Sequence, residues 1–539
     1  MSRPRPARRT SRRTTRRVTA FVAIATAAVL ALSGCATWFT SDYGNGGSTG
    51  GSGGDGGGAG GTSTSTPTAE DVPAELQPFY GQILEWTACS GSFQCATAKA
   101  PLDWSNPTGD TVDLALIKKP TSGTKQGSLF VNPGGPGGSA YDFVEQSADY
   151  AAHPTLQSAY DLIGYDPRGT GHSDAVKCLT DEERDAYLYD LIPGERGLAE
   201  WIAAYTAAAK DFADKCAENT GPLLEFIDTD STTRDLDMLR AVVGDPKLNY
   251  LGYSYGTFLG AEYAENFPTK VGRMVLDGAE DPSSSGFDIS ISQAAGFEQA
   301  LKNYLTACAD RSDCWFQGSA DQALTGIQKL LAKVDQSPIR ASDGRELGAS
   351  NLLTAVFYPL YNEENWSYLD TLFQTVGDGQ ADFAFQLADA YNSRNADGTY
   401  ADNLIESFNA ISCADYPATN DPAVIAEQNE KIVEASPTVG PYWTYSDISC
   451  SQWPYPSRRV PAPVTAAGSG PILVVGTTGD PATPYKWAEA LAGQLENGHL
   501  VTFQGEGHTA YNSSTCVADA VDAYFLEGTV PATDPDCTS

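Results

Sequence analysis

From Pro73 onward the chain alternates short, dense apolar runs with longer polar segments whose hydrophobic residues recur at helical spacing. Val112 to Lys118, Ser128 to Val131, Tyr160 to Tyr165, Leu248 to Leu251, Arg273 to Asp277, Ile472 to Gly476 and Leu500 to Phe503 read as buried strands. Between them, Asp181 to Asn219 is rich in Ala, Glu, Asp and Lys and predicts helix. Ser231 to Gly244 has an N-cap signal, apolar positions on one face and a terminal glycine. Thr257 to Asn266 predicts a helix closing before Pro268, and Pro78 to Trp86 a short one with proline in its first turn. Strands alternating with helices imply a mostly parallel sheet with helices on both faces, an α/β fold. From about residue 283 to 465 strand character disappears and amphipathic helix dominates, interrupted at Pro338, Pro359 and Pro417. That stretch predicts a large helical cap inserted before the penultimate strand. The body therefore divides into a first core segment (69–282), the cap (283–465) and a second core segment (466–539).

The chain ahead of this body has a different pattern. Eight arginines between Arg3 and Arg17 precede an apolar run, Val18 to Leu32, too short to span a bilayer comfortably. Leu32-Ser33-Gly34-Cys35 then closes it as a lipoprotein signal would, which makes residues 1–34 a leader and Cys35 the acylated N-terminus; an ordinary signal cleaved nearby is the alternative reading. Residues 35–68 are mostly Gly, Ser and Thr and predict a flexible tether. Export places the protein outside the cytoplasm, lipid-anchored or secreted, with membrane association through the lipid alone. Losing the leader takes the formal charge from -34 to -42, because its eight arginines go and no acidic residue does. Such a surface repels nucleic acid. Of the 11 cysteines, ten remain beyond Cys35, and sequence proximity suggests Cys89 with Cys95, Cys178 with Cys216, Cys308 with Cys314, Cys413 with Cys450 and Cys516 with Cys537. None is spaced with a histidine as a zinc site would be, so neither metal nor cofactor is expected, and the chain is read as a monomer.

The candidate chemistry lies where strands end. Gly252-Tyr253-Ser254-Tyr255-Gly256 sits between an apolar strand and a helix, the context a nucleophile elbow requires. The same five-letter pattern occurs twice in the glycine tract near residue 50, where no strand or helix is predicted, so context carries the inference. Asn132-Pro-Gly-Gly-Pro-Gly-Gly-Ser139 follows another strand as a loop whose amides can approach a ligand closely. The amide of Tyr255 and one from Gly134 or Gly135 are the candidate oxyanion donors. A serine hydroxyl needs a base and an acid to hold that base. Of four histidines, His153 and His172 fall in loops and His499 at the start of a strand; His508 alone lies just past a strand end, and Asp480 follows the strand before it. The order Ser254, Asp480, His508 is the one an α/β-hydrolase uses. In Asp166 to Asp174, Arg168 and Asp166 are read as stitching the loop beside the oxyanion loop.

Taken together, Asn132 to Ser139, Asp166 to Ser173, Gly252 to Gly260, Val275-Leu-Asp-Gly278, Ser412-Cys-Ala-Asp415, Asp480-Pro-Ala-Thr-Pro484 and Gly507-His508 resemble the exported tripeptidyl aminopeptidases of actinomycetes, relatives of prolyl aminopeptidases. The resemblance runs from about Pro73 to the C-terminus. It implies a serine exopeptidase that takes peptide substrates and releases short peptides, tripeptides among them, from a free N-terminus. It departs in Thr509-Ala510, where the family often has glycine, and the cap carries Asn362-Glu-Glu-Asn365, to which the resemblance assigns no role. A charged amino terminus needs a counter-charge. Asp415 and Glu280 are the first candidates, with Asp281, Glu363 and Glu364 behind them. An esterase or lipase on the same triad, or a non-catalytic surface lipoprotein, are the competing readings.

Overall fold

In the computed structural model, which describes residues 62–312 and 314–538, the pattern resolves into thirteen strands and a set of packed helices. The strands are β1 (Ser63–Thr64), β2 (Glu85–Ala88), β3 (Gln94–Pro101), β4 (Thr111–Lys119), β5 (Gly127–Asn132), β6 (Tyr160–Tyr165), β7 (Leu248–Tyr253), β8 (Val271–Asp277), β9 (Ile339–Arg340), β10 (Glu346–Leu347), β11 (Ile472–Gly479), β12 (Gly498–Glu506) and β13 (Asp536–Thr538). β9 and β10 pair only with each other. The other eleven form one sheet in the order β1-β2-β3-β4-β6-β5-β7-β8-β11-β12-β13. Pairing is antiparallel from β1 to β6 and parallel from β6 to β13.

Strand periodicity explains the layers. Phe130, Tyr250, Leu276 and Val474 face one side and pack with Leu236, Leu239, Phe258 and Leu491 of the helices Thr229–Val242, Tyr255–Asn266 and Lys486–Gln494. Their sequence neighbours Val131, Leu251, Val275 and Val475 face the other side and meet Val144, Val517, Val521 and Phe525 of the helices Ala140–Ala151 and Thr515–Glu527. With both faces covered, the central strands can be apolar at every position. Between β8 and β11 the chain forms a helical cap with its own core, in which Phe297, Leu301, Leu352, Phe373 and Phe385 pack together. Parallel register aligns the strand ends. Asn132 stands opposite Gly252, Tyr253 opposite Asp277, and Asp277 opposite Val475, so the loops after β5, β7, β8, β11 and β12 open along one edge.

Several expectations change here. The predicted helix Pro78–Trp86 is one turn, Gln77–Tyr80, stopped at Gly81; Glu85–Ala88 is the edge strand β2. Asp181–Asn219 is two helices, Asp181–Tyr189 and Ala199–Thr220. The last residues of the segment read as a tether are held by the body: β1 pairs with β2, Ser65 bonds Leu84, and the Thr68 amide reaches the carbonyl of Ala241. Residues 1–61, with the leader and Cys35, lie outside the described residues. Disulfides join Cys89–Cys95, Cys178–Cys216, Cys308–Cys314, Cys413–Cys450 and Cys516–Cys537, the pairs that proximity in sequence suggested. Among the described residues no helix is long and apolar enough to cross a membrane.

Candidate active site

Ser254 occupies the turn between β7 and the helix Tyr255–Asn266 with φ 56° and ψ -128°, a backbone conformation that costs a non-glycine residue about 1–3 kcal/mol. Its neighbours show why glycine flanks it. A Cβ at Gly252 would stand 2.4 Å from the carbonyl oxygen of Gly256, and one at Gly256 would stand 2.8 Å from that of Asn132. The Ser254 amide donates to the Asp277 carbonyl at 2.9 Å, while its own carbonyl accepts the amide and the hydroxyl of Thr257 at 2.8 and 2.6 Å. Tyr255 is the first helical residue, so its N–H has no acceptor inside the helix.

The loop after β5 lies directly against this turn. Gly134 has φ 94°, and a Cβ on it would come within 2.5 Å of the Tyr253 carbonyl oxygen, 2.9 Å of Ser254 Cβ and 3.0 Å of the Tyr255 nitrogen. The Gly134 amide is not free: it donates to Oδ1 of Asn132 at 2.9 Å. Behind the loop, Asp166 accepts the Ser139 hydroxyl and the amides of Tyr141 and His172. Arg168 works elsewhere. It is fully buried against Asp235, in a 2.7 Å ion pair, and donates to the carbonyls of Pro101, Leu102 and Phe226.

After β11 and β12 come the acid and the histidine. His508 Nδ1 lies 3.0 and 2.9 Å from the two oxygens of Asp480, which leaves Nε2 as the ring nitrogen able to take a proton. Asp480 also accepts the amides of Ala482 and Thr483 and the Thr483 hydroxyl, the last at 2.9 Å; that hydroxyl is 3.2 Å from Nδ1 as well. Burial opposes a charged imidazole, but the carboxylates of Asp480, Asp277 and Glu280 outweigh it and hold the His508 pKa above its ordinary value. From the cap, the Tyr361 carbonyl accepts the His508 amide at 2.8 Å and its ring meets the imidazole edge to face. The backbone of Asn362 and Glu363 packs on Gly507. The remaining histidines are occupied in loops or lie at a strand start: His153 with Asn512, His172 with Asp142, His499 at the beginning of β12.

The acids proposed for an amino terminus separate. Asp415 is buried, and both its oxygens are taken by Thr229, through the amide at 2.8 Å and the hydroxyl at 2.6 Å, at the start of the helix Thr229–Val242. It borders a cleft of about 1120 Å³ between that helix and residues 454–464. The Glu280 carboxylate accepts no hydrogen bond from the described residues. Burial pushes its pKa up to about 7, against the pull of His508 and Arg459. Asp281 is engaged with Ser283 and Gln494. Among the described residues no cluster of three or more His, Cys, Asp or Glu is arranged to hold a metal ion.

Sequence reasoning missed Thr483, Tyr361 and the carboxylate of Asp277; Thr483 and Asp277 lie within motifs quoted for the family resemblance, but nothing in spacing marks their partners.

Comparison with known proteins identifies the family. Residues 436–537 match the family model described as TAP-like protein. The chain is 34% identical over 490 residues to the serine protease Hip1 of Mycobacterium tuberculosis, covering 86% of this chain and 92% of that one. It is 38% identical over 456 residues to carboxylesterase B of the same species, covering 82% and 86%, and 29% identical over 474 residues to the tripeptidyl aminopeptidase of Streptomyces lividans, covering 84% and 86%. With an α/β-hydrolase sheet, a serine at the strained turn after β7 and these relatives along most of its length, the chain belongs to the TAP-like serine hydrolases of the α/β-hydrolase superfamily.

Proposed function

We propose that the protein is a serine exopeptidase that cleaves near a free peptide N-terminus through Ser254, His508 and Asp480. The observation that carries the reading is the pairing of His508 Nδ1 with Asp480 on the same sheet edge as the strained Ser254. Ser254 attacks the scissile carbonyl, and Nε2 of His508 takes the hydroxyl proton and passes it to the leaving amine. Asp480 fixes the imidazole tautomer and supports its charged form. Water then repeats the sequence on the acyl-enzyme. The oxyanion is assigned to the amides of Tyr255 and Gly135, since the Gly134 amide is spent on Asn132.

Glu280 is assigned to the substrate's ammonium group. A half-buried carboxylate with no donor among the described residues, close enough to the imidazole to shift its pKa, gains most from an added positive charge. Asp415 is assigned instead to capping the helix Thr229–Val242. Release of tripeptides is supported by the name of the Streptomyces relative, and an extracytoplasmic location, anchored at Cys35, by the leader pattern and five disulfides. A second reading, ester hydrolysis on the same triad, is favoured by the relative named carboxylesterase B.

The test is fluorophosphonate labelling of the wild type and Ser254→Ala, followed by rates on peptide anilides with free and acetylated N-termini and on short p-nitrophenyl esters. Label and turnover are expected to vanish in a folded Ser254→Ala protein, and acetylation to remove most peptidase activity. Equal rates on acetylated peptides would refute the amine assignment, and faster turnover of esters than of any free peptide would favour the second reading.

A further inference from the structure

β8 ends at a residue that touches both halves of the site. Asp277 is fully buried, and its main-chain carbonyl accepts the Ser254 amide. Its carboxylate accepts the Ala510 amide at 3.0 and 3.1 Å through its two oxygens and the Tyr511 amide at 2.9 Å. Among the described residues no cationic side chain bonds it. The turn that these amides hold needs holding, because Thr509, between His508 and Ala510, has φ 70°, a left-handed conformation unfavourable for a β-branched residue. The next residue, Gly278, leaves the imidazole room: a Cβ there would stand 3.2 Å from His508 Cε1.

We propose that Asp277 is a positioning residue, whose carboxylate fixes the His508 turn relative to the Ser254 turn and lies behind the imidazole as a second anion beside Asp480. This rests on the triad reading above and deepens it. The groups around the imidazole are Asp480 after β11, Asp277 at the end of β8, Glu280 just beyond it, and the Tyr361 ring from the cap. Around the Asp277 carboxylate are His508, Asp480 and the hydroxyls of Tyr150, Tyr253 and Tyr511. Burial pushes Asp277 up to about 6, with the Tyr511 and Ala510 amides and the imidazole pulling it back, so it is ionised at neutral pH.

The test is Asp277→Asn. A carboxamide turns one acceptor into a donor facing the two amides, so at least one bond is lost. We expect kcat to fall about 100-fold, as for a small misplacement of the base, with KM little changed. The acid limb of the kcat/KM profile is expected to move to lower pH, because an anion beside the imidazole is gone. A merely structural role would lower the folded fraction without moving that limb. Full kcat with an unmoved limb, in a protein whose activity is lost in Ser254→Ala, overturns this inference and leaves the triad standing; a wild type that fluorophosphonate does not label overturns the triad reading beneath it. Should Asp277→Asn not fold, the readout passes to the wild type. Amide exchange of the segment 508–511, corrected for its intrinsic pH dependence, must lose protection as pH falls through about 6 while the sheet stays protected. Unchanged protection there overturns the proposal.

Discussion

Replacing Gly134 with alanine would put a methyl group 2.5 Å from the Tyr253 carbonyl oxygen, 2.9 Å from Ser254 Cβ and 3.0 Å from the Tyr255 nitrogen. None of these is the end of a flexible side chain, so the loop after β5 must move off the turn that carries Ser254. The displaced loop takes the Gly135 amide with it, and the methyl group crowds the Tyr255 amide, the other assigned oxyanion donor. Loss of one such donor costs about 2.7–4 kcal/mol of transition-state stabilisation, or ~10²–10³ in kcat. The ground state is affected less. At φ 94° an alanine carries a backbone penalty of about 1–2 kcal/mol, which a fold with a stability of roughly 5–15 kcal/mol tolerates. The expected protein is folded, binds substrate with nearly unchanged KM and turns over at least ~100-fold more slowly. Gly379→Ala is the control: Gly379 has φ 82° but nothing within 4 Å of its Cβ position, so it bears a similar backbone cost in open space. Steady-state kinetics on a free tripeptide anilide, with thermal melts of both variants, separate the two effects. A folded Gly134→Ala protein with kcat within about threefold of wild type would refute the oxyanion assignment.

Two further outcomes follow from the same geometry. Thr483→Val keeps the shape of the side chain and removes the hydroxyl shared by Asp480 and His508 Nδ1; a hydrogen bond to a charged group contributes about 1.5–3 kcal/mol, so kcat/KM should fall roughly 10- to 100-fold with the melting temperature little changed, and an unaffected rate would remove Thr483 from the site. Stability should fall between pH 5 and pH 8. Burial pushes Asp166 and Asp277 up to about 6 and Glu280 and Asp415 up to about 7, from ordinary values of 3.8 for Asp and 4.5 for Glu. Each group holds its proton more tightly when folded, so its contribution is complete below about pH 4 and lost as pH rises through the folded value. Glu70, which Lys270 and Arg240 hold at about 2 despite its burial, has the opposite sign: its contribution is complete above its ordinary 4.5 and is lost only as pH falls from there toward 2, below this window. Thermal melts that rise from pH 5 to pH 8 would contradict this reading.

The elements legible from sequence are those whose chemistry is local. β5, β6, β7, β8, β11 and β12 each carry a short run in which apolar residues face both sides, because both sheet faces are covered there, and such runs stand out in any window. β3 did not stand out. Its buried residues Ala96, Ala98 and Ala100 alternate with Thr97 and Lys99, and alanine favours helix over strand. The turn at Gly81 similarly let a strand, β2, pass for the end of a helix. In the site, Ser254, Asp480 and His508 could be found because each follows a strand. The spending of Asp415 on Thr229 could not, since that bond joins residues 186 apart that only the folded sheet and cap bring together; the bond from the Gly134 amide to Asn132 is local, but residue spacing does not say which loop amide is spent and which is left free. Arg168 was placed with Asp166, its neighbour in sequence, whereas its partner Asp235 comes from a helix 67 residues away.

The bond from the His508 amide to the Tyr361 carbonyl, with Gly507 bare of a side chain beneath it, bears on how these enzymes can diversify. A cap that supplies part of the scaffold for the proposed general base is not an interchangeable module. A chimaera that borrows a relative's cap to change substrate preference inherits, or loses, a support of the turn that carries His508. Swaps that keep the 361–365 turn native and exchange only the helices beyond it avoid that penalty.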